Sequence, residues 1–183
     1  MIVFDVEANG LLDDATKILS YTRDGKNVNT IYQYDQMIEL LINQKGLIGH
    51  NIIRYDIPVL ERILNLNLSD MQKFDTLPMS WVLNYNRSKH GLESFGEDYG
   101  IPKPIVTDWK NLSVEEYTHR CEEDVKINWM LWKDILKRFM FIYKSKSELN
   151  KFFRYLQFKM DCAAEAERVG WKLDVGLAKD CVA

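Results

Sequence analysis

Ile2-Val3-Phe4-Asp5-Val6-Glu7-Ala8-Asn9-Gly10-Leu11 is the stretch that decides the fold. Its opening residues are apolar and β-prone, and a glycine-containing turn follows, so it reads as a buried strand close to the N-terminus. Successive side chains of a strand point to opposite faces, which puts Asp5 and Glu7 on the same one. Two carboxylates thus emerge side by side where a buried strand runs out. Either one of them holds a proton or a cation neutralises both, and hard carboxylate oxygens suit Mg²⁺ or Mn²⁺. A solvated strand end with two idle acids is the competing reading of this pair taken alone.

Further along, Thr16 to Arg23 reads as a second strand, Asp24-Gly25-Lys26 as a turn and Asn27 to Tyr34 as a returning third strand, a β-meander. Asp35 to Gln44 carries helical apolar spacing and stops before Gly46. Leu47 to Asn51 reads as a brief buried strand, and Asp56 opens a helix with Pro58 in its first turn. Helices are expected over Asp75 to Tyr85 and from His90 onward, with a Gly/Pro loop from Gly100 to Pro104. Ser113-Val114-Glu115-Glu116 is a capping box. From Glu122 the apolar residues Val125, Trp129, Trp132, Leu136, Phe139 and Tyr143 keep helical spacing for about five turns, and Ser147 to Val169 reads as a last long helix ended by Gly170. Strands come first and helices follow, which predicts a mixed α/β sandwich with antiparallel and parallel parts.

A chain of 183 residues can bury one good core. No window approaches the 18 or so apolar residues of a membrane span, and no basic segment followed by an apolar one opens the chain, so neither membrane insertion nor secretion is expected. The cysteines, Cys121, Cys162 and Cys181, are odd in number and lack a Cys-x-x-Cys pair. That argues against a disulfide framework and against zinc, and fits free thiols in a reducing cytoplasm. A net charge of −3 excludes holding nucleic acid by bulk electrostatics, but not gripping one end of it through metal ions.

Two later acids are candidates to join Asp5 and Glu7. Asp56 sits at a strand-to-helix corner, where a simple helix cap is the alternative. Asp124 lies near the start of the long helical segment, where the helix dipole alone favours a carboxylate. Glu122 and Glu123 crowd the same turn, more acid than a cap requires.

Asp5-Val6-Glu7, Asn51-x-x-x-Tyr55-Asp56 and His119-x-x-x-x-Asp124 resemble, in order and spacing, the three motifs of the DEDD 3′→5′ exonuclease superfamily. The opening Met-Ile-Val-Phe-Asp-Val-Glu-Ala-Asn-Gly-Leu-Leu is similar to the start of phage replicative DNA polymerases of the polymerase I class (family A), as are Asp75-Thr76-Leu77, His90-Gly91-Leu92-Glu93-Ser94-Phe95-Gly96 and Cys121-Glu122-Glu123-Asp124-Val125. The resemblance covers about residues 1 to 140. It implies a ribonuclease H-like mixed sheet flanked by helices, and two divalent ions (Mg²⁺ or Mn²⁺) about 3.5 to 4 Å apart. Asp5 would bridge them, Glu7 and Asp124 would join one, and Asp56 would reach the other mainly through water. It also implies single-stranded or frayed DNA with a free 3′ end as substrate, proofreading as the role, and the cytoplasm of a phage-infected bacterium as the setting.

In that superfamily the attacking water is served by a Tyr four residues before the last Asp or a His five before it. Here those positions hold Arg120 and His119. An imidazole suits proton abstraction and a guanidinium does not, so His119 is expected as the base, with Glu7 beside it. Residues i and i+4 share a helical face whereas i and i+5 do not, so this assignment needs a helix junction between Thr118 and Arg120. Arg120 would otherwise bind a phosphate. Leu11 and Leu12 are expected against the terminal base, or simply in the core, and Asn51 on sugar or phosphate, or holding its own turn. His90 is expected to be structural, and Trp129 and Trp132 to be core.

The expected organisation is an exonuclease domain over 1–145 and a helical tail over 146–183. Glu165-Ala166-Glu167-Arg168-Val169-Gly170-Trp171-Lys172-Leu173-Asp174 is similar to the segment by which those polymerases enter their polymerase portion, and the chain ends at Ala183. A polymerase fragment is therefore expected, with the polymerase portion as its partner; a terminal helix on a self-contained nuclease is the alternative. A free-standing exoribonuclease and a catalytically silent DNA- or partner-binding module are the competing functions.

Overall fold

The computed structural model describes residues 1–8, 17–101, 103, 112–170, 172 and 174–181. Its centre is a five-stranded sheet in the order β3-β2-β1-β4-β5. The strands are β1 (Ile2–Ala8), β2 (Lys17–Thr22), β3 (Asn29–Ile31), β4 (Gly46–Gly49) and β5 (Gln72–Asp75). β1, β2 and β3 form the expected antiparallel meander, while β4 runs parallel to β1 and β5 parallel to β4.

The period of two along β1 sorts its side chains onto two cores. Ile2, Phe4 and Val6 pack with α1 (Tyr34–Ile42) and α2 (Asp56–Leu64) on one face. Val3 packs on the other face with Ile48, Phe74 and residues of α3 (Thr76–Leu83), α4 (Leu92–Tyr99), α5 (Val114–Ile142) and α6 (Lys146–Val169). Asp5 and Glu7 follow Val3 in the same alternation, so they look toward α5, which packs across β1 and β2. A last short helix, α7, spans Val175–Asp180. Among the described residues no helix is long and apolar enough to cross a membrane.

β5 was absent from the sequence reading. Gln72-Lys73-Phe74-Asp75 carries a single apolar side chain, so it shows no strand periodicity, yet it is buried between β4 and α6, with the backbone N–H of Lys73 donating to Gln157 Oε1 at 3.2 Å. Of the expected α5 stripe, Val125, Trp132 and Phe139 are buried, while Trp129, Leu136 and Tyr143 are partly buried against them and Ile127, Leu131 and Ile135 complete the buried face. Trp132 lies 5.4 Å from Phe74 and 6.1 Å from Phe153, ring centre to ring centre. Trp129 covers Gly25 of the β2–β3 turn, whose φ of +72° and lack of Cβ admit the indole. α6 enters the same core through Leu149, Phe153 and Leu156.

The helix junction expected between Thr118 and Arg120 does not occur. The Ser113 capping box is present, but it starts one helix that runs unbroken from Val114 to Ile142. No glycine or proline interrupts this stretch, and the Thr118 hydroxyl donates back to Val114 O at 2.8 Å within the helix.

Candidate metal centre

β1 and α5 bring the site together. Asp5, Glu7 and Asp124 each offer a carboxylate oxygen within 4.8 Å of the others, although Asp124 is more than a hundred residues away in sequence. Asp56, at the first turn of α2, is outside this group of three. It does not cap its helix with its side chain; its Oδ1 accepts the backbone N–H of Val6 at 3.1 Å, which pins it beneath the strand between the other two acids. Of the three consecutive acids on α5, only Asp124 joins the site. Glu122 accepts from the Thr30 hydroxyl at 2.9 Å, and Glu123 accepts from Lys126 at 2.7 Å.

The electrostatics are those of crowded, desolvated acids. Burial and the charges of Asp124, Asp56 and Glu7 hold the Asp5 carboxyl well above its ordinary range. Burial raises Glu7 and Asp124 as well, opposed by Arg120 at the first and Lys103 at the second. Burial pushes Asp56 up to about 7. Hard oxygen ligands in one nest, with Asp124 Oδ1 buried and without a hydrogen-bond partner, fit a divalent cation.

Two cations of the chain itself reach into the nest. Arg120 Nε donates to Glu7 Oε1 at 2.9 Å, and Lys103 Nζ lies 2.5 Å from Asp124 Oδ2. Sequence reading missed Lys103. It falls between α4 and α5 in the sequence with no periodic signal around it, and only its place between two prolines sets it apart. Cys121, buried on the same face of α5, donates its thiol to Asp5 O at 3.4 Å; burial and the charge of Asp5 keep that thiol protonated.

His119 sits one position before Arg120 on the unbroken helix, its side chain 62% exposed and its Nδ1 4.0 Å from Glu123. The residue four before Asp124, Arg120, takes the inward face, as the helical period requires. Asn51 has a left-handed backbone, φ +62°, and its N–H donates to Asp75 Oδ1 at 2.8 Å, while its own Oδ1 is buried without a partner. Asp75 also accepts from Ile53 N and, as the N-cap of α3, from Leu77 N. His90 is structural, held by the Ser80 hydroxyl and Arg87 O. Leu11 and Leu12 lie outside the described residues.

Sheet order, helix placement and the acids at the end of the central strand define a ribonuclease H-like α/β fold of the kind found in nucleases. A solved structure described as the apo form of the nuclease matches with a TM-score of 0.67 at 19% identity, covering 95% of this chain and 87% of that one. Brucella melitensis NrnC with bound Mg²⁺ matches with a TM-score of 0.66 at 18% identity, covering 95% of this chain and 88% of that one. The same protein bound to pGG gives a TM-score of 0.66 at 19% identity over the same shares. At these identities the likeness is one of fold. No family model matches the chain, and no curated protein does.

Proposed function

We propose that the chain is a divalent-metal-dependent 3′→5′ exonuclease of the DEDD type, hydrolysing the terminal phosphodiester of a single-stranded or frayed DNA 3′ end in a proofreading role. The observation that carries the reading is the convergence of Asp5, Glu7 and Asp124 in a fold shared with a Mg²⁺-bound nuclease. Asp5, Glu7 and Asp124 would hold the metal, with Asp56 alongside for a second ion. Two ions are the expected stoichiometry.

A phosphodiester is anionic and resists attack by hydroxide. A divalent cation in this nest supplies the Lewis acidity that neutralises the phosphate and activates water. The chain's part is to hold that charge in a water-poor setting and to orient the attacker. Glu7 sits inside the nest beside Asp5 and Asp124, where it would orient the water and accept its proton. His119, the base expected from the motif, is the competing assignment; its exposed position one step off the inward face favours Glu7. Arg120 and Asn51 are proposed for the phosphate and sugar of the terminal nucleotide.

Incubating the protein with 5′-labelled DNA and Mg²⁺ or Mn²⁺ should give a ladder receding from the 3′ end, and Asp5→Ala should abolish it while leaving the protein folded. Wild-type cleavage by Asp5→Ala sinks the assignment. The binding of pGG by NrnC favours a second reading, in which RNA or very short oligonucleotides are the substrate. Running matched RNA and dinucleotide substrates beside DNA separates the two, since only a site with room for the 2′-hydroxyl turns over RNA.

A further inference from the structure

The acidic nest carries its own counter-ions. Lys103 Nζ is 2.5 Å from Asp124 Oδ2 and Arg120 Nε is 2.9 Å from Glu7 Oε1; in both pairs the basic side chain is only 15% exposed. These are two of the three carboxylates that a divalent ion would need. An oxygen lone pair committed to an ammonium or guanidinium is not free for a metal, and each such charge-assisted pair is strong when little water reaches it. The third carboxylate, Asp5, has no comparable partner among the described hydrogen bonds and ion pairs: it receives only the weak thiol donor of Cys121, at 3.6 Å. Asp124 Oδ1 has no hydrogen-bond partner among the described residues. The nest is thus partly neutralised by Lys103 and Arg120 and partly open at Asp5 and Asp124.

We propose that Lys103 and Arg120 are built-in competitors of the divalent ion, which hold Asp124 and Glu7 while the site is metal-free and are displaced when a metal enters, so that the two side chains set the metal affinity of the centre. The inference rests on the nuclease reading of the same site. Its physical content is an exchange. Metal entry breaks two buried ion pairs, and the net gain is what remains after that loss. Removing either cation leaves its carboxylate without its direct ion-pair partner and compensated only by the more distant second cation, so more is gained when a metal enters. Lys126, which pairs with Glu123 on the same helix but outside the nest, removes the same unit of charge when neutralised and serves as the control.

Mn²⁺ binding to the metal-free protein, followed by the loss of the free-ion electron paramagnetic resonance signal, reads this directly. Lys103→Met and Arg120→Gln should each tighten Mn²⁺ binding by about tenfold, the worth of a weakened buried pair, and Lys126→Gln should change it by less than about twofold. Labelling wild-type lysines with an amine-reactive acylating reagent, read by mass spectrometry, gives a second measure that needs no variant. Lys103 should label slowly without metal and several-fold faster with saturating Mn²⁺, while Lys126 stays constant. Unchanged or weaker binding in both nest variants, or Lys103 labelling that does not rise with metal, overturns the competitor role. If wild type binds Mn²⁺ and both nest variants bind it with the same affinity, the metal centre stands and only the competition falls; if neither wild type nor any variant binds Mn²⁺, the metal centre falls and the competition with it.

Discussion

Asp75 Oδ1 accepts the backbone N–H of Asn51 at 2.8 Å, so the residue that ends β5 fixes the loop leading to Asp56. The same carboxylate takes Ile53 N at 3.3 Å and caps α3 through Leu77 N at 3.0 Å. The left-handed φ of +62° at Asn51 persists because these bonds hold the chain on both sides of it. Asp75→Ala leaves three donors without their acceptor, and urea unfolding should show a loss of about 3 kcal/mol or more. Asp75→Asn keeps one acceptor oxygen in place and should lose less. Equal losses would mean that the loop does not depend on this carboxylate as an acceptor.

Stability should fall as pH rises above 6.5 when no divalent ion is present. A buried acid with a raised folded pKa binds its proton more readily folded than unfolded, so stability declines from the unfolded value up to the folded one. Asp56, raised from 3.8 to about 7, contributes about 4 kcal/mol over that whole interval but only the last part of it, about 1 kcal/mol, above pH 6.5; Asp5, held well above its ordinary range, acts in the same direction. His50 works the other way: burial lowers it from 6.5 to about 4, so its contribution rises with pH across that window and partly masks the acids there. Between pH 6.5 and 8.5 His50 no longer contributes, and the raised acids set the slope. Melting curves from pH 6.5 to 8.5 should therefore slope downward, with the slope reduced by Asp5→Asn and by saturating Mg²⁺. A flat profile in metal-free buffer would contradict the crowding of charge in the nest.

The parts of this molecule that were legible in sequence are those governed by local periodicity. The alternation of β1 puts Asp5 and Glu7 on one face, Val125, Trp132 and Phe139 of the α5 stripe are core, and the Ser113 box starts a helix. The illegible parts are set by tertiary contacts. β5 is a strand because β4 and α6 bury it, not because its residues alternate. Lys103 belongs to the site only because the fold carries its amine to Asp124. The junction that the Ser113 capping box suggested at Thr118 has a different source: the box marks only where a helix starts, and no residue from Val114 to Ile142 breaks the one it starts.

That unbroken helix makes the choice of proton acceptor measurable. With Arg120 on Glu7 and His119 62% exposed beside Glu123, the proposed mechanism gives the proton to Glu7 rather than to His119. A positioned base is worth about 10²- to 10⁴-fold. His119→Ala should therefore cost less than about tenfold in single-turnover cleavage with Mn²⁺, whereas Glu7→Gln should cost at least about 10²-fold, part of it through weaker metal binding. The pH profile divides the roles further. If His119 takes the proton, the rising limb of the wild-type profile belongs to its imidazole and His119→Ala erases that limb. If Glu7 does, the rising limb survives in His119→Ala, and a collapse of activity in that variant would return the base to the histidine.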